Sequence, residues 1–284
     1  MPTLMQLGIA RQPMRKYWRE SRRSGARGIR RTSRYNPSVL RIDVITLFPE
    51  VIEAGVGYSI VGRAREWGLV QIRALQLRDF ADGKHKKTDD EPYGGGAGLV
   101  LKPEPIFKAV EACQPTPDTR IILLEPQGRL YTQSLAHELA EQAHLILICG
   151  HYEGVDARVR EHLATDVISI GDYVLTGGEL PALIIIDSVV RLLPGAIHSP
   201  ESLGQDSYAD GLLGYPQYTR PEMFRGLRVP SVLLSGNHGA IARWRRLQQL
   251  RLTRTLRPDL FAKAYLTEED VTLLRELDAD TTER

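Results

Sequence analysis

The residues best suited to chemistry lie in a glycine-rich run, 168–181, with the sequence ISIGDYVLTGGELP. A short apolar strand stops at Gly171, a polar and aromatic loop follows, and Gly177 and Gly178 precede a helix. Because glycine has no side chain, such a loop exposes backbone N–H and C=O groups to whatever lies beside it. The run therefore indicates a slot for a flat, hydrogen-bonding ligand. The alternative is an ordinary tight connection between a strand and a helix.

Two other predicted strands end in loops of small or polar residues, at 125–128 (EPQG) and 150–154 (GHYEG). In sheets of parallel strands, ligands bind beyond the carboxyl ends of the strands. We therefore expect these two loops and the 170–178 segment to converge on one pocket.

A long polar loop, 79–98, separates two predicted elements and contains three consecutive glycines. Loops of this length in a compact domain are usually functional or disordered. The loop has neither the Lys-Ser/Thr pair of a phosphate-binding P-loop nor the G-x-G-x-x-G pattern of dinucleotide-binding proteins. The sequence thus argues against both nucleotide motifs.

Strands and helices alternate along the chain. β-branched and apolar runs predict strands at 41–48, 69–77, 121–124 and 145–149, and Pro49 is interpreted as the end of the first. Helices are predicted at 59–67, 103–113, 132–142 and 180–193, and a capping box at 267–270 starts a last helix. Alternation predicts an α/β fold with a mostly parallel sheet and helices on both faces.

The composition is that of a globular protein. With 284 residues, of which 42% are hydrophobic and 25% charged, the chain has room for one α/β core and a smaller unit. No apolar run reaches the roughly 20 residues of a membrane span, so no membrane partner is expected. The two cysteines, Cys113 and Cys149, lack metal-site spacing, which favours a reducing, cytoplasmic location without disulfides.

Charge is unevenly distributed. Residues 1–40 carry ten basic residues and one acidic residue, a net charge of +9, so the remainder carries −7 of the total of +2. This segment lacks apolar periodicity and is predicted to be a disordered extension. It could be a targeting peptide, a nucleic-acid-binding arm, or sequence translated upstream of the true start, and the last is our preferred interpretation.

A second basic region lies near the C-terminus. Residues 223–258 contain eight arginines and no acidic residue, and an apolar stripe is predicted from four side chains: Ile241, Trp244, Leu247 and Leu256. Unbalanced positive charge favours a polyanionic partner. The alternative is an ordinary solvated helix face.

Ten motifs, in this order, resemble the bacterial tRNA (guanine-N1)-methyltransferases: ITLFPE, DDEPYGGGAG, EPQG, CGHYEGVD, SIGDYVLTGGELPA, IDSVVRLLPG, DSYADGLL, YPQYTRPE, LLSGNH and RPDL. This is a knotted (SPOUT-type) family that uses S-adenosylmethionine to methylate the guanosine 3′ of the anticodon, guanosine-37. The resemblance implies a homodimer and a trefoil knot within a methyltransferase domain at 41–198. A flexible linker at 199–213 and a helical tRNA-binding domain at 214–284 would follow.

The resemblance also assigns roles to residues. Asp206 would be the general base that removes the proton from guanine N1, and Arg191 would stabilise the charge that builds on O6. Glu153 would lie near the target base, with His85, Asp89 and Asp90 near the RNA. The cofactor slot would be formed by Pro126, Gly128, Gly150, Ile170, Gly171, Asp172, Tyr173, Val174, Leu175, Gly177, Gly178 and Pro181. The family depends on magnesium, but no carboxylate cluster indicates its site, so the metal is unassigned.

The chain departs from the family pattern at His151, where arginine is usual, and at Glu125, where serine is common. These departures leave a non-catalytic RNA-binding protein of the same fold as one alternative. A dinucleotide-dependent oxidoreductase is another, suggested only by the α/β pattern and disfavoured by the missing glycine fingerprint.

Overall fold

The computed structural model describes residues 39–198 and 200–282, and the chain divides into two compact units, Met1–Ile197 and His198–Arg284. The predicted basic extension, 1–40, lies outside the described residues except for its last two. Leu40 is already part of the first strand and is 4% exposed, so the ordered fold begins slightly earlier than predicted.

A five-stranded parallel sheet forms the centre of the first unit, with the strand order β2-β1-β6-β5-β7. The strands of this unit are β1 (Leu40–Thr46), β2 (Val70–Gln76), β3 (Asp89–Asp90), β4 (Val100–Leu101), β5 (Arg120–Leu130), β6 (His144–Cys149) and β7 (Asp166–Ser169). β3 and β4 form a separate antiparallel pair. The predicted α/β fold with a mostly parallel sheet is confirmed.

Helices cover both faces of this sheet. They are α1 (Pro49–Gly55), α2 (Ser59–Glu66), α3 (Pro103–Ala112), α4 (Gln133–Ala140), α5 (Ala157–His162) and α6 (Glu179–Val190). Alternate residues of β6 belong to different cores: Leu145 and Leu147 pack with α1, α2, α4 and α6, whereas Ile146 and Ile148 pack with α3 and α5. The central strand is therefore buried on both sides, as its continuous apolar sequence requires.

Two helices and one long strand were not predicted. Pro49 starts α1 rather than merely ending a strand, because proline at the first helical position loses no hydrogen bond. α5 buries only Val159, so its sequence has no amphipathic pattern. β5 continues to Leu130 through an irregularity between Leu124 and Arg129, so the predicted 125–128 loop lies within a strand.

The carboxylate of Asp43 is fully buried in β1 and bound by three basic side chains. Arg41 lies 2.7 Å away, Arg73 donates a hydrogen bond at 2.8 Å, and His144 Nε2 lies at 2.9 Å. Burial alone would raise the pKa of Asp43, but the bonds from His144 and Arg73 and the charge of Arg41 hold it below its ordinary value of 3.8.

This cluster makes stability sensitive to acid. Because the pKa of Asp43 is lower in the folded state, its contribution is complete above the unfolded pKa and is lost as pH falls through the folded pKa. We expect Asp43→Asn to lower the free energy of unfolding by about 3 kcal/mol at pH 7 and by less at pH 3. Urea unfolding at both pH values measures this, with the exposed Asp118→Asn as control. Equal losses at the two pH values would contradict it.

The second unit is built around a smaller core of Leu212, Leu250 and Leu273. Its elements are β8 (Met223–Phe224), β9 (Leu227–Arg228), α7 (His238–Leu256), α8 (Pro258–Phe261) and α9 (Glu268–Thr282). Leu212, predicted to lie in a flexible linker, is 1% exposed. Leu256 was predicted in the apolar stripe but is 63% exposed, so that assignment is wrong.

Five of the eight arginines in the acid-free stretch pair with carboxylates from elsewhere in the second unit. The pairs are Arg228 with Glu222 at 4.0 Å, Arg243 with Glu276 at 2.5 Å, Arg246 with Asp270 at 2.6 Å, Arg254 with Asp278 at 2.9 Å and Arg257 with Asp259 at 2.7 Å. The sequence pattern therefore overstates the basic surface, because it cannot show which acidic residues fold back onto α7.

Candidate active site

A cavity of about 230 Å³ lies beside the carboxyl ends of β6 and β7 and the middle of β5. Its walls come from residues 124–126, 150–154, 168–171 and 173–178 and from Pro181. The loops are directly joined, since the N–H of Gly178 donates to the carbonyl of Gly150 at 2.9 Å and His151 pairs with Gly177 in an antiparallel bridge. The predicted convergence of three segments on one pocket is confirmed, although the first of them lies within β5 and not in a loop.

Most of the predicted cofactor residues line this cavity: Pro126, Gly150, Ile170, Gly171, Tyr173, Val174, Leu175, Gly177, Gly178 and Pro181. Asp172 and Gly128 do not. A Cβ on Gly128 would lie 2.5 Å from the backbone of Ile168, so this glycine allows β5 to pass close to β7. Gly128 therefore packs against Ile168, which lines the cavity, but does not line the cavity itself.

The glycine pair before α6 is required for the loops to meet. A Cβ on Gly178 would lie 2.5 Å from Cys149 Cα, and one on Gly177 would lie 2.2 Å from His151 Nε2. Both distances are shorter than any real contact. The sequence predicted that these glycines expose backbone groups to a ligand, and the structure adds that a side chain at either position would collide with the neighbouring loop.

His151 is held on the cavity wall by a buried acid. Its Nε2 lies 2.8 Å from Glu179 Oε2, and the hydroxyl of Thr46 donates to the other oxygen of Glu179. The Phe48 ring packs beside the imidazole, with centroids 5.1 Å apart. The sequence analysis missed Glu179, which is 6% exposed. In the sequence, Glu179 stands out as an acidic residue in the first turn of a mostly apolar helix, where its negative charge interacts favourably with the helix dipole.

Glu125, the second departure from the family pattern, also lines the cavity. Burial raises the pKa of this carboxyl above its ordinary value, although the charge of Arg160, 3.8 Å away, acts in the opposite direction. The cavity wall therefore carries a titratable carboxyl group at a position where serine is common in the family.

The other predicted substrate residues differ in their places. Glu153 lines the cavity, and its N–H donates to Leu99 at 3.0 Å, which ties the long glycine-rich loop to the site. Asp89 and Asp90 form β3, where Lys87 pairs with Asp90 at 2.8 Å. His85 is exposed, and these three residues are not on the cavity wall.

The two predicted catalytic residues belong to different units. Arg191 follows α6 in the first unit, is half-buried, and its N–H bonds the carbonyl of Asp187 at 3.2 Å. Asp206 follows a 3-10 turn, Pro200–Gln205, in the second unit and is also half-buried. Their roles remain predictions.

Within residues 39–198 and 200–282, His, Cys, Asp and Glu side chains form no group of three or more that could hold a metal ion. Cys113 and Cys149 are buried free thiols. No helix there has the length and apolar character needed to span a membrane.

The fold and site define an α/β protein with a cavity beside the carboxyl ends of parallel strands. The family described as "tRNA (Guanine-1)-methyltransferase TrmD" matches residues 40–263, and the chain belongs to this family. The resemblance inferred from the ten motifs is thereby confirmed.

Several relatives carry the name tRNA (guanine-N(1)-)-methyltransferase. The protein of Geobacillus kaustophilus is 57% identical over 238 residues, which are 84% of this chain and 98% of the relative. That of Dictyoglomus turgidum is 54% identical over 239 residues, 84% of this chain and 97% of the relative. That of Moorella thermoacetica is 54% identical over 248 residues, 86% and 99% of the two chains.

Proposed function

We propose that this protein transfers a methyl group from S-adenosylmethionine to N1 of guanosine-37, immediately 3′ of the anticodon in tRNA. The observation that carries the proposal is the convergence of two glycine-rich loops and the middle of β5 on one cavity, in a chain that matches the methyltransferase family over residues 40–263.

The cavity suits the flat adenine and the uncharged parts of the cofactor. Within the described part of the chain, the backbone N–H groups of Ile170 and Leu175 make no hydrogen bond, so both are available to a ligand. Tyr173 and Val174 are 55% and 83% exposed and offer apolar contact at the rim. S-adenosylmethionine supplies an electrophilic methyl group on a sulfonium, and its leaving group is a neutral thioether that needs no acid.

The residues must therefore act on the acceptor. Guanine N1 carries a proton at neutral pH and becomes nucleophilic only when that proton leaves, with charge building on O6. In our proposal Asp206 accepts the N1 proton and the guanidinium of Arg191 donates hydrogen bonds to O6. Asp206 would be aligned only when RNA orders its segment, which keeps the base inactive without substrate.

Recognition would require the target base to leave the anticodon-loop stack, with Glu153 beside it, as other base-modifying enzymes require. The second unit would bind tRNA phosphates through those arginines that carboxylates do not neutralise, including the exposed Arg251. A trefoil knot around the three loops is part of the same proposal. The magnesium site stays unassigned.

We further propose that the active site is completed in a homodimer. Leu180 and Ile184 are one helical turn apart on α6 and are 54% and 44% exposed, although the rest of this helix is largely buried. A second copy would cover this apolar face, as is common for twofold assemblies.

Ile184→Asp is expected to dissociate the dimer and reduce methyl transfer at least about a hundredfold, because a charge in an apolar interface is costly. Size-exclusion chromatography with light scattering gives the molar mass of the variant, and a methyl-transfer assay on the same samples gives its activity. Tyr58→Asp, at a position 74% exposed in the same unit, is the control and should change neither. A monomeric Ile184→Asp variant with full activity would contradict the proposal.

The function is tested by transfer of labelled methyl groups to two unmodified tRNA transcripts that differ only in having guanosine or adenosine at position 37. We expect incorporation into the first transcript alone. Binding without incorporation would favour a non-catalytic RNA-binding protein. Calorimetric titration with NAD and S-adenosylmethionine separates the oxidoreductase alternative, which no structural observation favours.

A further inference from the structure

A second and larger cavity, of about 430 Å³, lies entirely within the second unit. Its walls come from three segments: 215–222, 229–234 and the first turns of α7. This volume falls in the range of sites that hold one small ligand or one nucleotide, and it is too small for a folded partner.

Aromatic side chains and arginines dominate one side of this cavity. Tyr218 and Trp244 meet at an angle of 58°, with ring centroids 6.2 Å apart, and the guanidinium of Arg245 lies 4.7 Å from the centre of the Tyr215 ring. The exposed Arg220 adds a second positive charge at the rim. Planar faces next to cations are the combination on which unpaired nucleobases stack.

Arg245 differs from its neighbours on α7. Arg243, Arg246 and Arg254 each bind a carboxylate, whereas Arg245 has no ion pair within the described residues. Its Nε is buried and makes no hydrogen bond there. A buried N–H without an acceptor is unfavourable, and guanidinium can only donate. Since Arg245 lines the cavity and forms no ion pair with a described carboxylate, its guanidinium can donate hydrogen bonds to a ligand there.

We propose that this cavity binds one unpaired nucleobase of the RNA substrate, at a position other than the methylated guanosine. The base stacks on Trp244 or Tyr218 and accepts a hydrogen bond from Arg245 through a ring nitrogen or carbonyl oxygen, while Arg220 faces its phosphate. This inference rests on the proposed RNA substrate, and it adds a base-binding site in a different unit from the cofactor cavity.

The experiment compares RNA binding by the full-length wild-type protein and three variants at several salt concentrations. Arg245→Ala and Arg245→Lys should each weaken binding about tenfold, the size expected for loss of one stacked base. Neither should change the salt dependence, since no phosphate contact is lost. Arg251→Ala, the matched control on the exposed side of α7, should weaken binding about twofold and reduce the salt slope. Arg245→Lys also covers the case in which the alanine variant fails to fold.

A scan with single abasic nucleotides then locates the base. Removing the base at one position should lower the RNA affinity of the wild-type protein about tenfold, and it should not lower the affinity of Arg245→Ala or Arg245→Lys any further. Guanosine and adenosine monophosphates, added alone, should bind far more weakly than RNA. If they bind as tightly, free nucleotide is the ligand and the proposal is wrong.

Three other results would overturn it. The first is wild-type RNA affinity in Arg245→Lys, and the second is the same RNA affinity and salt dependence in Arg245→Ala and Arg251→Ala. The third is that the Arg245 variants change the oligomeric state and leave RNA affinity unchanged. Methyl transfer measured on the same samples keeps the two proposals apart. If the wild-type protein transfers methyl groups but the Arg245 variants bind RNA normally, only this inference is contradicted. If the Arg245 variants bind RNA about tenfold more weakly but the wild-type protein transfers no methyl group, only the proposed reaction is contradicted.

Discussion

Asp206→Asn is expected to lower kcat for methyl transfer by about a thousandfold, within the range attributed to a general base. Asparagine has nearly the same shape as aspartate but cannot accept the N1 proton, so guanine stays protonated and non-nucleophilic. The cavity wall of the first unit contains no atom of Asp206. The Kd for S-adenosylmethionine should therefore stay the same.

Single-turnover transfer under saturating tRNA and cofactor measures this effect, with calorimetry for cofactor binding. Glu268→Gln removes a carboxylate from an exposed position in the same unit and is the matched control. It should leave both quantities unchanged. Normal turnover by Asp206→Asn would mean that another group, such as Glu125 or Glu153 on the cavity wall, takes the proton.

Gly178→Ala is expected to have the second largest effect, on cofactor affinity. The new methyl group would lie 2.5 Å from Cys149 Cα and 2.9 Å from the nitrogen of Gly150, and backbone atoms cannot rotate away as a side chain can. The loops would separate and the hydrogen bond from Gly178 to Gly150 would break. We expect the Kd for S-adenosylmethionine to rise at least about a hundredfold and stability to fall by about 2 kcal/mol.

Gly57→Ala is the control, because its Cβ would make only ordinary contacts at 3.6 and 3.7 Å with backbone oxygens of α1. Calorimetric titration of cofactor into both variants, with thermal unfolding as a check of folding, gives the comparison. A Gly178→Ala variant that binds the cofactor as well as Gly57→Ala would show that contact between the loops is not needed for the slot.

The sequence predicted the fold well where local chemistry determines it. β6 is apolar at every position after His144, and α9 begins at the capping box, where the N–H of Asp270 donates to the Thr267 hydroxyl at 3.2 Å. It failed where tertiary contacts decide. α5 buries a single side chain, and the bulge that carries β5 past Pro126 has no local signal.

For the site, the small and polar residues after the predicted strands indicated which segments meet, but not which atoms the glycines must avoid. Gly128, Gly177 and Gly178 are required by neighbouring protein atoms, which only the folded chain brings close. The pairing of His151 with Glu179, 28 positions apart, was equally invisible. The basic stretch misled in the opposite direction, because the acidic partners of Arg243 and Arg254 lie in α9.

The central claim is that the protein methylates N1 of guanine, and nucleoside mass spectrometry of tRNA after incubation with S-adenosylmethionine tests it most directly. Digestion and chromatography separate 1-methylguanosine from the isomers methylated at N2 or N7, which have the same mass. We expect 1-methylguanosine to appear with the wild-type protein and to be reduced about a thousandfold with Asp206→Asn. Another methylated isomer, or unmodified guanosine alone, would contradict the claim.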